Sequence, residues 1–95
     1  MMSNEERVKL IRERLRDGLG AQAVEVQDDS HKHIGHEGAK DGRGHFSVAV
    51  VAAAFEAKSL VERHRMVYEA VGDLMETDIH ALSIQARTPA EATAG

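Results

Sequence analysis

The chain has 95 residues and no cysteine, 42% of its residues are hydrophobic and 29% are charged, and its formal net charge is −4. These values support one globular domain with a modest core, and they exclude a disordered chain, a membrane span of about 20 apolar residues, a disulfide framework and a thiolate metal site built by this chain alone. The acidic balance gives no overall field that attracts nucleic acid, and the N-terminal residues lack the apolar core of a signal peptide, so we expect a single soluble cytoplasmic domain.

The first predicted element is a helix. Ser3 and Glu6 have the spacing of a capping box, in which each side chain satisfies a backbone amide of the first turn. The apolar residues that follow recur at steps of three and four, namely Val8, Ile11, Leu15 and Leu19. Gly18 and Gly20 are the predicted stop of this helix.

Two strands follow, separated by a long polar loop. Over about residues 21–28, two valines alternate with polar residues, which predicts a strand with one wet face. Over about residues 45–52, one set of alternating side chains is large and apolar and the other is small and largely apolar, which predicts a central strand covered on both faces. The loop of residues 28–44 contains four glycines and is far longer than a hairpin loop, so we expect it to have a function.

The strongest helix pattern comes next. Ser59 and Glu62 form a second capping box, which starts a predicted helix over about residues 60–75. Its apolar stripe consists of Leu60, His64, Val67, Val71 and Leu74. Thr77 and Asp78 then turn the chain into a third strand.

The third strand covers about residues 79–86 and places His80 on the same face as the apolar residues that follow it. Thr88, Pro89 and Glu91 have the pattern of one last helical turn, with a flexible tail from about residue 92. Strands one and two should be antiparallel, and the long helix should cross over to make strands two and three parallel. We therefore predict an α+β domain of order α-β-β-α-β, ending in a short helix, with helices packed on one face of a three-stranded mixed sheet.

An enzyme is not favoured by these residues. Asp28, Ser30 and His33 can be arranged as a catalytic triad on paper, but nothing places the serine on a strained turn or supplies an oxyanion hole. We therefore expect a protein that is not an enzyme.

Metal binding is better supported, because imidazole is a common ligand for zinc, copper and iron. His31, His33 and His36 lie within six residues of the polar loop, and His45 closes it. Taken one at a time, His31, His36 and His45 are better explained as ordinary polar loop residues. Two or three histidines on a flexible loop would bind an ion weakly, since such a site is not preformed.

Two histidines lie outside the loop. His64 falls in the apolar stripe, and we interpret it as a structural, core or half-buried residue with a hydrogen bond to the backbone. His80 should lie at the rim of the covered face, where it could complete a two-histidine site for a transition metal or a cluster. Because the chain has no cysteine, the remaining ligands would have to come from a partner.

Four segments resemble the BolA family in their order and spacing: DDSHKH, HFSVAVV, FEAKSLVERHRMVYEAV and IHALSIQARTPAE. The resemblance covers about residues 5–91, and its most specific parts are RHRMVY at 63–68 and IHALSI at 79–84. It implies a BolA-like fold, similar to class II KH domains, which agrees with the predicted order of elements. One departure is Ala57, where family members commonly have glycine.

The resemblance implies a non-catalytic partner of a monothiol glutaredoxin of the CGFS type, active in iron-sulfur cluster trafficking or iron-regulatory signalling. In such a heterodimer, the glutaredoxin cysteine and a glutathione thiol bind one side of a [2Fe-2S] cluster, and BolA histidines bind the other. It implies His80 as one ligand and His33 as the second, with His31 and His36 as second choices. We expect the isolated chain to be a monomer without a tightly bound cofactor.

DNA binding by a transcriptional regulator is the alternative, since KH domains hold single strands with a G-x-x-G loop. The corresponding turn at residues 56–59 lacks the glycines, and the literal match at residues 35–38 lies in the wrong loop. The acidic charge and the few aromatic residues also argue against a base-stacking surface. Lys58, Arg63 and Arg65 are predicted to form a small basic patch that docks a partner, binds nucleic acid or is simply solvated.

Overall fold

The computed structural model describes residues 2–30 and 42–94. Its elements in chain order are α1 (Asn4–Leu19), β1 (Ala23–Asp28), β2 (Gly44–Val51), a 3-10 turn (Ala53–Phe55), α2 (Leu60–Val71), α3 (Leu74–Thr77), β3 (Ile79–Arg87) and α4 (Pro89–Ala94). The sheet has the order β1-β2-β3, and β2 pairs antiparallel with β1 and parallel with β3. This arrangement confirms the predicted α+β class with a mixed sheet. None of the helices in the described ranges is long and apolar enough to cross a membrane.

The hydrophobic core lies between the two long helices and one face of the sheet. Its largest fully buried side chains come from all of these elements: Ile11, Leu15, Phe46, Val50, Phe55, Val67, Val71 and Ile79. Burying a side chain of this size stabilises the fold by about 1.5–3 kcal/mol relative to leaving it exposed. The periodic spacing of apolar residues in the sequence therefore identifies which faces of the helices and of the sheet pack against each other.

Three helix starts have the capping boxes expected from the sequence. Ser3 and Ser59 each accept a hydrogen bond from the glutamate amide three residues on, and each glutamate side chain accepts one from the serine amide. Thr88 and Glu91 exchange the same pair of hydrogen bonds at the start of α4. This last helix extends to Ala94 and so includes part of the predicted flexible tail.

The two glycines near the end of α1 have different roles. Gly20 ends the helix in a left-handed conformation with φ of 59°. Gly18 lies inside the helix, contrary to the prediction that it helps to end it. A Cβ atom at Gly18 would lie 3.2 Å from the Cβ of Ala70, so the absence of a side chain there lets α1 and α2 approach closely.

Helix α2 is shorter than predicted and buries a different row of side chains. It ends before Gly72, whose positive φ breaks the helix, so that Leu74 belongs to α3. Arg63, Val67 and Val71 form the buried row, whereas Leu60 in the first turn is 67% exposed. The prediction that Leu60 belongs to the buried stripe is wrong, because the contact with the rest of the domain begins at Arg63.

The second face of β2 is only partly covered in the part of the chain that the structure describes. Ser47, Ala49 and Val51 are only half-buried, while the residues that alternate with them are buried. The prediction of a strand covered on both faces is therefore wrong. Small apolar side chains on this face reflect the central position of β2 in the sheet rather than a second layer of helices.

Candidate functional site

Three of the six histidines lie outside the described residues. These are His31, His33 and His36, so the position of the second ligand implied by the family resemblance stays a prediction. The histidines that the structure describes are His45 on β2, His64 on α2 and His80 on β3.

A β-bulge determines where His80 lies. Gly44 pairs with Ile79 and His45 pairs with Ala81, so His80 is one extra residue in β3. Ile79 takes the buried position with no exposed surface, and His80 is exposed. The strand alternation that predicted His80 on the covered face is interrupted by the bulge, and that prediction is wrong.

The rings of His45 and His80 lie against each other at this end of the sheet. Their centroids are 5.0 Å apart and their planes are inclined by 47°. Two nitrogens bound to one ion at about 2.1 Å each lie within about 4 Å of each other, and this ring separation is compatible with such an arrangement. His45 is therefore an additional candidate ligand, although its place in the sequence predicted an ordinary polar loop residue.

The described residues do not form a complete metal site. Within residues 2–30 and 42–94, there is no cluster of three or more histidine or carboxylate side chains that could hold a metal ion. The histidine pair supplies two nitrogen donors at most, and any centre held there would need further ligands.

Arg43 contacts His80 directly. Its Nη2 atom lies 3.2 Å from Nδ1 of His80. Because a guanidinium group can only donate hydrogen bonds, Nδ1 must be the acceptor in this contact. The lone pair of Nδ1 on the His80 ring therefore faces the Arg43 guanidinium in this contact.

A buried ion pair holds the start of β3 against α1. Arg7 donates from Nε to Oδ1 of Asp78 at 2.9 Å, and the two side chains are 5% and 12% exposed. Arg7 also donates from Nη1 to the carbonyl oxygen of Gly42 and to Oδ1 of Asn4. The hydroxyl of Thr77 and then the Arg7 guanidinium hold the pKa of Asp78 below its ordinary value.

Ser30 attaches the other end of the polar loop to the same place. Its hydroxyl accepts hydrogen bonds from the backbone amide of His45 at 3.1 Å and from the side-chain amide of Asn4 at 3.3 Å. Both described ends of the loop are therefore tied together beside the histidine pair. We call this group the anchor cluster, and it consists of Asn4, Arg7, Ser30, Gly42 and Asp78.

One of the three residues of the predicted basic patch, Arg63, is buried. Arg63 is 8% exposed, and it donates hydrogen bonds to the carbonyl oxygens of Lys58 and Ala86 and to the Glu91 carboxylate. Its guanidinium is used inside the domain, so the assignment of Arg63 to partner docking or nucleic-acid binding is wrong. Lys58 and Arg65 are exposed and stay as candidates for that role.

The structure agrees with the prediction for His64 only in part. It is half-buried on α2, as predicted. Among the described residues, the His64 ring makes no hydrogen bond to the backbone, contrary to the prediction.

Comparison with known proteins agrees with this architecture. The family model for BolA-like proteins matches residues 15–91. The chain is 44% identical over 86 residues to SufE-like protein 1, chloroplastic/mitochondrial, of Arabidopsis thaliana, and 40% identical over 90 residues to Protein BOLA1, chloroplastic, of the same plant. These alignments cover 85% and 92% of this chain but only 23% and 56% of the two relatives, so the chain spans about half of their length or less. Since both names refer to organelles, cytoplasmic localisation stays a prediction.

A solved structure supports the same relationship. The BolA domain of SufE1 from Arabidopsis thaliana is 41% identical, with a TM-score of 0.79 over 96% of this chain and 99% of that domain. The family match extends over most of the chain, and the solved domain shares its fold almost from end to end. The chain therefore belongs to the BolA-like family, as its motifs predicted.

Proposed function

We propose that this protein is a non-catalytic partner of a monothiol CGFS glutaredoxin, to which it contributes histidine ligands for a shared [2Fe-2S] cluster in iron-sulfur cluster trafficking or iron-regulatory signalling. The observation that carries the proposal is the contact between the rings of His45 and His80, in a chain without cysteine. His80 is exposed at this end of the sheet, and an imidazole nitrogen there suits one side of a cluster. The sulfur donors on the other side would come from the glutaredoxin and glutathione.

His80 is the first ligand that we propose. The second is His33, with His31 and His36 as second choices and His45 as the candidate added by the structure. The anchor cluster supports a loop ligand because it attaches Ser30 to the backbone of His45.

The test is reconstitution of the cluster with a CGFS glutaredoxin and glutathione, followed by visible circular dichroism. The wild-type chain should change the spectrum relative to the glutaredoxin homodimer, because imidazole nitrogen replaces thiolate sulfur on one iron. His80→Ala should abolish that change and shorten the lifetime of the mixed cluster. His64→Ala is the matched control, since this histidine is half-buried on another element.

Single replacements of His33 and His45 by alanine then identify the second ligand, since only the variant that lacks it should lose the mixed-cluster spectrum. A His80→Ala spectrum identical to that of the wild type would contradict the proposal. Tight binding of single-stranded DNA by the chain alone, weakening steeply with added salt, would favour the regulatory alternative. The burial of Arg63 and the lack of glycines at residues 56–59 leave little to support that alternative.

A further inference from the structure

We propose that Arg43 competes with the metal centre for His80, so that His80 can act as a ligand only after the Arg43 side chain has moved away. This inference rests on the proposed function, in which His80 is a ligand. It adds a residue that controls when that ligand is accessible.

The contact itself defines the competition. Nη2 of Arg43 lies 3.2 Å from Nδ1 of His80. A guanidinium has five N–H donors and no acceptor, and it stays charged in proteins. The lone pair of Nδ1 therefore points to Arg43 in this contact.

Neither mode of histidine ligation is compatible with this contact. A neutral histidine binds a metal through the lone pair of one ring nitrogen and keeps its proton on the other. Ligation through Nδ1 would use the lone pair that Arg43 holds. Ligation through Nε2 would require the proton on Nδ1, where it would face the N–H groups of Arg43. The side chain of Arg43 must leave in both cases.

The backbone around Arg43 is held in place, so the side chain is the part that has to move. The carbonyl oxygen of Gly42 accepts a hydrogen bond from Arg7, and the amide of Gly44 donates one to the carbonyl oxygen of Asp78 at 3.0 Å. The anchor cluster therefore keeps Arg43 beside His80. The contact itself is exposed, and breaking one such hydrogen bond should change affinity by roughly two- to tenfold.

The test uses the full chain with Zn²⁺ as the probe, titrated at neutral pH and followed by NMR. Arg43→Met should raise the Zn²⁺ affinity by roughly two- to tenfold, and it should have no effect in a chain that also carries His80→Ala. Arg87→Met at the other end of β3 is the control for the loss of one positive charge. Repeating the titrations at high salt removes most of the general charge effect, since exposed charges are screened.

A second measurement tests the contact without any metal. Long-range proton–nitrogen correlation spectra distinguish the two neutral forms of the ring. His80 should carry its proton on Nε2 in the wild-type chain, and Arg43→Met should increase the share of the form protonated on Nδ1.

The outcomes separate this inference from the proposed function. If Arg43→Met leaves the Zn²⁺ affinity unchanged, or raises it equally without His80, competition for His80 is overturned. If His80→Ala binds Zn²⁺ as tightly as the wild type, the assignment of His80 as a ligand fails, whatever Arg43 does. If His80→Ala weakens binding but Arg43→Met does not strengthen it, the ligand assignment stands and only the role of Arg43 is lost.

Discussion

Gly44 and Ala57 lie at backbone positions that restrict the side chain for different reasons. At Gly44 the reason is a close contact, and at Ala57 it is the backbone conformation. A Cβ atom at Gly44 would lie 2.6 Å from Cε2 of Phe46, so the first residue of β2 can carry no side chain without moving a buried ring. Ala57, in the turn before α2, has φ of 63° and therefore adopts the left-handed conformation that favours glycine. A left-handed conformation costs an alanine roughly 1–2 kcal/mol. Alanine at position 57, where family members commonly have glycine, therefore introduces a small, local strain in the backbone.

Ala57→Gly should increase the free energy of unfolding. Relief of the left-handed strain, about 1–2 kcal/mol, outweighs the roughly 0.5–1 kcal/mol of extra chain entropy that glycine adds to the unfolded state. We expect a net gain of about 0.5 kcal/mol, measured by urea denaturation. Ala54→Gly in the 3-10 turn is the matched control and should only lose stability, because Ala57 is the one non-glycine residue with positive φ in the described part of the chain. A loss of similar size in both variants would contradict this interpretation.

At the scale of elements, α4 depends on an ion pair rather than on apolar packing. The helix has six residues and none of them is buried. Glu91 accepts hydrogen bonds from Arg63 of α2 at 2.6 Å and from the amide of Thr88 at 2.8 Å. The Arg63 guanidinium, and then the Thr88 amide, lower the pKa of Glu91 from 4.5 to about 2. The ionised carboxylate therefore connects α4 to α2 and β3.

The lowered pKa of Glu91 predicts a pH dependence of stability with a definite sign. Because the folded-state pKa lies below the unfolded value, the contribution is fully present above pH 4.5 and is lost as the pH falls towards about 2. Glu91→Gln should lower stability at neutral pH and reduce the slope of stability against pH in this window. Urea denaturation across the window measures both effects.

The control for this prediction is Glu69→Gln, which removes another exposed carboxylate that makes no ion pair with a described residue. An unchanged slope in Glu91→Gln would show that the ion pair with Arg63 does not persist in solution. The Glu91 side chain is half exposed, so its effect should also decrease with added salt.

At the scale of the whole molecule, the anchor cluster joins parts of the chain that are far apart in sequence. Arg7 near the start of α1 pairs with Asp78, 71 residues later, and both are buried. The same guanidinium donates a hydrogen bond to the carbonyl oxygen of Gly42. The side-chain amide of Asn4 donates one to the hydroxyl of Ser30 at the other end of the polar loop. This arrangement places both described ends of the loop, Ser30 and Gly42, next to the His45–His80 pair and makes the geometry of the site depend on the ion pair.

Asp78→Asn should destabilise the fold by about 3–5 kcal/mol, because it leaves the buried charge of Arg7 without its counter-ion. The measurement is urea denaturation at neutral pH. The double variant Arg7→Met with Asp78→Asn should cost less than the sum of the two single changes, since no charge is then left unpaired. Strict additivity would contradict direct coupling between the two residues.

Local chemistry explains what could be predicted from the sequence. The capping boxes at Ser3, Ser59 and Thr88 join residues three apart, and the alternation in β1 and β2 reflects the pleat of single strands. These signals are complete within one turn or one strand, and they were enough for the α+β class and for the crossover that makes β2 and β3 parallel. The family followed instead from the resemblance of the motifs at residues 63–68 and 79–84.

The tertiary structure decided everything that depends on register between distant segments. The bulge between Gly44 and His45 brings the rings of His45 and His80 together, and no local pattern encodes it. Arg63 resembles a surface residue in sequence, and only its partners on β3 and α4 explain its burial. Sequence by itself determined the elements and the donor atoms available, whereas the pairing of strands and the packing of helices determined which of them meet, because contacts between distant residues form only when the whole core is assembled.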